Sequence, residues 1–288
     1  MPDGESRSLC RMCHGGCGAI LTIRNGRLVD IAGDRESLFS KGALCPKGRA
    51  TVELVNHPGR VLHPLKRIGA RGEGRWQEIS WDQALDEICR GIDDVRRRTE
   101  PWSIALGQGT GRHHYLRAVR FANQLGTPNW YEPGLAQCFI PRITVSRLTY
   151  GAFPVADYYG DVKPRCILFW GHNPIVTSAD GELMWPVERA VRSAEVTIAI
   201  DPRRSETARR CSHWVPLRPG TDCALALAMV NSIISDGLYD KEFVESWTQG
   251  FDELREHVKK CTPEWAEGIT WVPAARIREI ARLYATVK

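Results

Sequence analysis

The stretch CRMCHGGCG, Cys10 to Gly18, sets three thiols at Cys-x2-Cys-x3-Cys spacing, and after 27 intervening residues a fourth follows in Cys45-Pro46-Lys47-Gly48. Four thiolates are what an iron–sulfur cubane requires, and a local run of three with one distant ligand is a common way to supply them. A zinc ribbon more often presents two separated Cys-x2-Cys knuckles, and here the second knuckle is missing. Gly15, Gly16 and Gly18 leave room for backbone amides to approach sulfur. The spacing points to Cys10, Cys13, Cys17 and Cys45 as metal ligands of a [4Fe–4S] cluster, with zinc or unligated buried thiols as the alternatives. The other cysteines read differently. Cys89, Cys166 and Cys223 stand in apolar helix or strand patterns and are expected in the core, while Cys211 and Cys261 carry no signal. Cys138 lies beside Phe139 and Ile140, and alone it too reads as a buried apolar residue.

The elements that must position these groups follow from periodicity. Residues 19–34, AILTIRNGRLVDIAGD, read as a hairpin turning at Asn25-Gly26. Pro58, Pro64 and several glycines then mark an extended connector, so the expected domains are 1–60, carrying the cluster on short strands, and 61–288. In the second, Ser80 is placed to cap a helix whose apolar positions are Ala84, Leu85, Ile88, Ile92 and Val95. Strands are expected at WSIALGQ, CILFWG and VTIAID, and helices at YLRAVRFANQLG, GELMWPVERAVRSA and from Thr221-Asp222 to Gly237. Strands alternating with helices predict an α/β fold with a mostly parallel sheet and ligands at the carboxyl ends of its strands. The last residues, AARIREIARLYATVK, read as an amphipathic helix with no natural end, so the chain is expected to be truncated at its C-terminus.

Bulk properties exclude several classes. The 288 residues are 43% hydrophobic and 25% charged, an ordinary globular balance. A net charge of +5, spread along the chain, is too mild to argue for nucleic acid. No apolar run approaches the roughly 18 residues of a membrane helix, so no direct membrane insertion is expected. Ten cysteines without an apolar leader favour a reducing compartment, and a cytoplasmic location is expected, with export alongside a partner left open.

CRMCHGGCG with GALCPKGR, then GHNP after a strand, IDPRRSETA after another, and LRPGTDCALALAM opening a helix resemble, in order and over nearly the whole chain, the molybdopterin oxidoreductase (dimethyl sulfoxide reductase) family. The resemblance implies Mo or W held by bis(molybdopterin guanine dinucleotide), a small-molecule substrate, and an iron–sulfur electron-transfer subunit as partner. It further implies that Gly171, Asn173 and Pro174, Asp201 and Arg203, and Gly220, Thr221 and Asp222 bind the dinucleotide. Lys47 would lie between cluster and pterin and assist catalysis. Cys138 would be the protein ligand to Mo or W, a soft thiolate suited to either metal.

Phe139 stands where formate dehydrogenases of the family usually carry histidine, which weakens a formate reading. His14 stands where acetylene hydratase, a member without net redox chemistry, uses Asp. His113-His114 could line a substrate funnel or lie on the surface. The chain is also far shorter than family catalytic subunits, so it is expected to hold the cluster yet show little turnover. Two rivals remain: an NAD-dependent dehydrogenase, whose fingerprint GQGTGR completes only in part, and a cluster-bearing electron carrier without pterin.

Overall fold

The computed structural model describes residues 2–13, 15–109, 114–134, 140–154, 156, 158–161, 163–178 and 183–287. It opens with β1 (Gly4–Leu9), β2 (Gly18–Arg24) and β3 (Arg27–Gly33), an antiparallel sheet in the order β1-β2-β3. The turn between β2 and β3 is left-handed at both Asn25 (φ 51°) and Gly26 (φ 71°), the backbone that an Asn-Gly pair favours. The Asp3 carboxylate accepts from both turn amides, at 2.8 and 3.1 Å. Two short helices follow, α1 (Pro46–Arg49) and α2 (Thr51–Asn56), and the Asn56 side chain donates to the Leu28 carbonyl, pinning α2 to β3.

The connector forms a small antiparallel pair, β4 (Leu65–Arg67) and β5 (Trp76–Glu78), before helix α3 (Trp81–Arg98). Ser80 caps α3, its hydroxyl accepting from the Gln83 amide at 3.1 Å. The strand expected at WSIALGQ shrinks to β6 (Leu106–Gly107), since Pro101–Ser103 wind into a 3-10 turn and the Ile104 carbonyl is taken by the Thr127 hydroxyl. After α4 (Tyr115–Leu125), β7 (Trp130–Tyr131) pairs with β6 in parallel, and α5 (Ile140–Tyr150) follows.

The main sheet is parallel. Strands β8 (Cys166–Trp170), β9 (Val196–Ile200) and β10 (His213–Val215) lie in the order β10-β9-β8, with α6 (Pro174–Thr177) and α7 (Met184–Ser193) between β8 and β9. Central β9 is buried from Thr197 to Ile200, the continuous apolar run of a strand covered on both faces. One cover is α7, which sets Val187 and Ala190 against Ile167 and Phe169. The other is formed by α8 (Asp222–Ser235) and, after α9 (Lys241–Trp247) and α10 (Phe251–Val258), by α11 (Pro263–Thr270) and α12 (Ala274–Thr286), which pack Leu225, Met229, Ile277 and Ile280 onto Ile198, Ile200 and Val215. The α/β class and parallel sheet agree with the sequence expectation.

Two cysteines depart from it. Cys89 is exposed because the apolar stripe of α3, with Leu85 and Ile88 more than half exposed, meets no covering layer among the described residues. Cys223 is exposed because α8 turns Ala224, Leu225 and Ala228 inward, which leaves Cys223 on the opposite side.

Candidate cofactor site

Cys10 follows β1, Cys17 precedes β2, and the Cys10 amide donates to the Cys17 carbonyl at 2.8 Å, closing the cysteine loop at its neck. Cys45 arrives from the other side, capping α1 just before Pro46. Gly33 brings it there: a Cβ on Gly33 would stand 2.1 Å from the Gly42 carbonyl oxygen, so only glycine lets the loop before Cys45 close on the sheet. Cys10 and Cys17 are buried together with Leu44 and with Leu183 from the second half of the chain; Cys45 is also buried, whereas Cys13 is half-buried. Burial pushes the Cys17 thiol up to about 11, and the neighbouring Cys10, Cys13 and Cys45 push the same way. Cys10 is likewise raised by burial, opposed by the Met12 amide and by the Lys47 charge.

Cys10, Cys13 and Cys45 therefore all lie within electrostatic reach of Cys17. Among the described residues no three His, Cys, Asp or Glu side chains close around a single-ion position. The Gly15 amide donates to the Cys13 sulfur at 3.4 Å, and a Cβ on Gly48 would stand 3.2 Å from the Cys10 sulfur. A set of soft donors, an amide directed at sulfur, a glycine beside Cys10 and an apolar surround suits an iron–sulfur cluster.

Lys47 joins this loop to the second half. Half-buried, it donates to the Thr177 carbonyl on α6 while lying close enough to Cys10 to favour that residue's thiolate. The segments after β8, β9 and β10 meet at the carboxyl edge of the parallel sheet. The Gly171 amide donates to the Ile200 carbonyl at 2.8 Å, and the Trp170 indole donates to the Asp222 carboxylate at 2.8 Å. Gly171 (φ 59°) and Gly220 (φ 82°) both take left-handed backbone, and no atom lies within 4 Å of where a Cβ would stand on either. The edge therefore keeps open space beside its backbone, as a dinucleotide requires.

Other side chains at this edge are tied to one another. The Asn173 carbonyl accepts from the Thr207 hydroxyl at 2.7 Å and the Thr207 amide at 3.0 Å, and its amide donates to Glu206 at 2.8 Å. Pro174, buried, opens α6. The Asp201 carboxylate accepts from the Arg203 amide at 2.8 Å, while the exposed Arg203 guanidinium lies 3.4 Å from Glu206. Thr221 does not cap α8 with its side chain; the hydroxyl donates to the Arg218 carbonyl at 2.6 Å. Thr207 and Glu206 escaped sequence reasoning, because their partner Asn173 is 34 and 33 residues away and no local period encodes that contact. Cys138, His14 and His113 lie outside the described residues.

Residues 60–262 match the profile described as Molybdopterin oxidoreductase, and residues 5–57 match the Molybdopterin oxidoreductase Fe4S4 domain. The chain belongs to the molybdopterin oxidoreductase family. Its cofactors are accordingly a [4Fe–4S] cluster and a Mo or W molybdopterin, as the sequence resemblance implied. Acetylene hydratase of Syntrophotalea acetylenica is 37% identical over 252 residues, 85% of this chain and 33% of that protein. The thiosulfate reductase molybdopterin-containing subunit PhsA of Salmonella typhimurium is 33% identical over 281 residues, 96% of this chain and 36% of that subunit. The solved structure of acetylene hydratase from Pelobacter acetylenicus superposes with a TM-score of 0.77 at 34% identity, covering 98% of this chain and 39% of that one. This molybdopterin oxidoreductase chain thus spans about a third to two fifths of the length of these relatives. Among its described residues no helix is long and apolar enough to cross a membrane.

Proposed function

We propose that this chain is the cluster-bearing part of a redox enzyme, in which electrons pass between a small substrate at Mo or W and a partner protein through the [4Fe–4S] cluster. Cys10, Cys13, Cys17 and Cys45 hold the cluster. Gly171, Asn173, Pro174, Asp201, Arg203, Gly220, Thr221 and Asp222 hold a pterin guanine dinucleotide along the carboxyl edge of the sheet, and Cys138 ligates the metal. The observation that carries this reading is Lys47, whose one ammonium both favours the Cys10 thiolate and donates to the Thr177 carbonyl, joining the cysteine loop to the segment after β8. When bound, the cofactors supply the electron storage and the metal-centred chemistry; the chain supplies position and charge.

What its own residues do is specific. The buried thiols must lose their protons on ligation, and the Lys47 ammonium offsets part of the negative charge this creates next to Cys10. Asn173 holds the loops after β8 and β9 in fixed register through Thr207 and Glu206, and keeps one amide hydrogen for a ligand. The division into a cluster unit at 1–60 and a pterin unit at 61–288 follows from the same reading.

Reductive titration of the iron-loaded chain tests it: the expected result is uptake of about one electron per chain with bleaching of the visible absorption, as for a single cubane. No uptake from a chain shown to contain iron would refute an electron-passing role. The two acetylene hydratase matches favour a second reading, hydration of an unsaturated carbon–carbon bond, which adds water and needs no electron partner. Turnover of acetylene by the full protein without an external electron acceptor would select it.

A further inference from the structure

The thiol loop is connected to the surface by stacked aromatic rings. Tyr159 reaches the thiol loop through Trp185, which packs against the buried group of Cys10, Cys17 and Leu183. Its ring meets Trp185 edge-on with centroids 5.7 Å apart and stacks on Phe39 at 5.9 Å and 11°. The Trp185 indole donates to the Phe39 carbonyl at 2.9 Å, so the three rings are fixed as a unit. Outward from them the surface is apolar, with Phe39 43% and Leu38 91% exposed.

The rim of this patch is cationic. Lys41 Nζ lies 4.7 Å and the Arg189 guanidinium 5.4 Å from the Trp185 ring centre. Arg189 gives hydrogen bonds to the carbonyls of Tyr158 and Tyr159, which carry no net charge to offset its own. Beside them an open cleft of about 300 Å³ runs along α7 between Trp185, Glu188, Arg189, Arg192 and Ser193. Among the described residues lining it, the one carboxylate, Glu188, is matched by Arg210 at 3.1 Å and Arg192 at 3.9 Å, so these side chains leave net positive charge. An apolar centre flanked by described side chains of net positive charge is the form of a short-lived, electrostatically steered interface.

We propose that the face of Leu38, Phe39 and Trp185, rimmed by Lys41, Arg189 and Arg192, docks an acidic electron-carrier protein, whose carboxylates enter the cleft along α7. This rests on the cluster reading given above and names the surface through which the electron exchange occurs. The step is a transfer of one electron between the cluster and the carrier's metal centre: one is oxidised as the other is reduced, no bond forms or breaks, and no proton moves.

The test uses an acidic plant-type [2Fe–2S] ferredoxin as probe, titrated calorimetrically into the iron-loaded chain at low and at moderate salt, with iron assayed on the same sample. The expected result is binding that weakens with salt and falls roughly three- to tenfold on Lys41→Glu or Arg192→Glu. Arg255→Glu, on α10 far along the chain, should leave it unchanged. Absence of binding, or equal loss from all three variants, with iron and thermal melting intact, would overturn the docking proposal alone. A chain that takes up no iron would overturn the cluster reading and this proposal with it.

Discussion

Water leaves the Cys17 and Cys211 thiols as the chain folds, and both are pushed up to about 11. For Cys211 the consequence for stability has a definite sign. The unfolded thiol, with a pKa of 9.0, loses its proton first, so between about pH 9 and 11 the folded state binds more protons and stability falls as pH rises. The same shift governs reactivity, since the thiolate is the nucleophile. Iodoacetamide at about pH 8 should label exposed Cys89 and Cys223 ahead of half-buried Cys211, as peptide mass spectrometry would show. Preferential labelling of Cys211 would contradict its burial. Thiol spacing made the proposed ligand set legible in the sequence, because Cys10, Cys13 and Cys17 lie on one loop. The environment of the remaining cysteines was legible only in part. Local apolar pattern identifies a helix face but not whether another layer covers it, and Cys89 and Cys223 differ from expectation for that reason.

Single elements carry the site through a few positions. Removing the Ser80 hydroxyl with Ser80→Ala leaves the Gln83 amide without its cap and should cost about 1 kcal/mol in urea denaturation. Gly33→Ala drives a methyl group into the Gly42 carbonyl, a backbone atom that cannot swing aside. The expected loss is about 1–3 kcal/mol, together with lowered iron uptake because the displaced loop leads to Cys45. Iron uptake equal to that of the unaltered chain would show that Gly33 does not set the position of Cys45. At this scale the sequence was informative wherever the signal was local: the Asn25-Gly26 turn, the Ser80 cap, and the strands at 166–170 and 196–200. It was silent on β1, β7 and β10, which are short or polar and exist because a neighbouring strand pairs with them. The bond from Asn173 to Thr207 belongs to the same class, formed by tertiary proximity alone.

Over the whole molecule, apolar surface is unevenly covered. Trp81, Leu85 and Ile88 on α3, and Val145 and Leu148 on α5, are each more than half exposed, while both faces of the parallel sheet are packed. Large exposed apolar patches mark interaction surfaces, and the relatives matched here are about three times as long as the aligned chain. The 288-residue chain should therefore elute from a sizing column as species larger than its 32.4 kDa, and Leu85→Glu with Ile88→Glu should reduce that association without lowering the thermal midpoint. A strictly monomeric chain at all concentrations would argue that these faces are not interaction surfaces. The central claim concerns metal, and the most direct measurement is the Fe, Zn, Mo and W content per chain after anaerobic purification. The account predicts about four irons bound by this chain, lost on Cys10→Ser or Cys45→Ser, with Mo or W present when the molybdopterin is bound. Zinc in place of iron, persisting after anaerobic reconstitution with iron and sulfide, would contradict it.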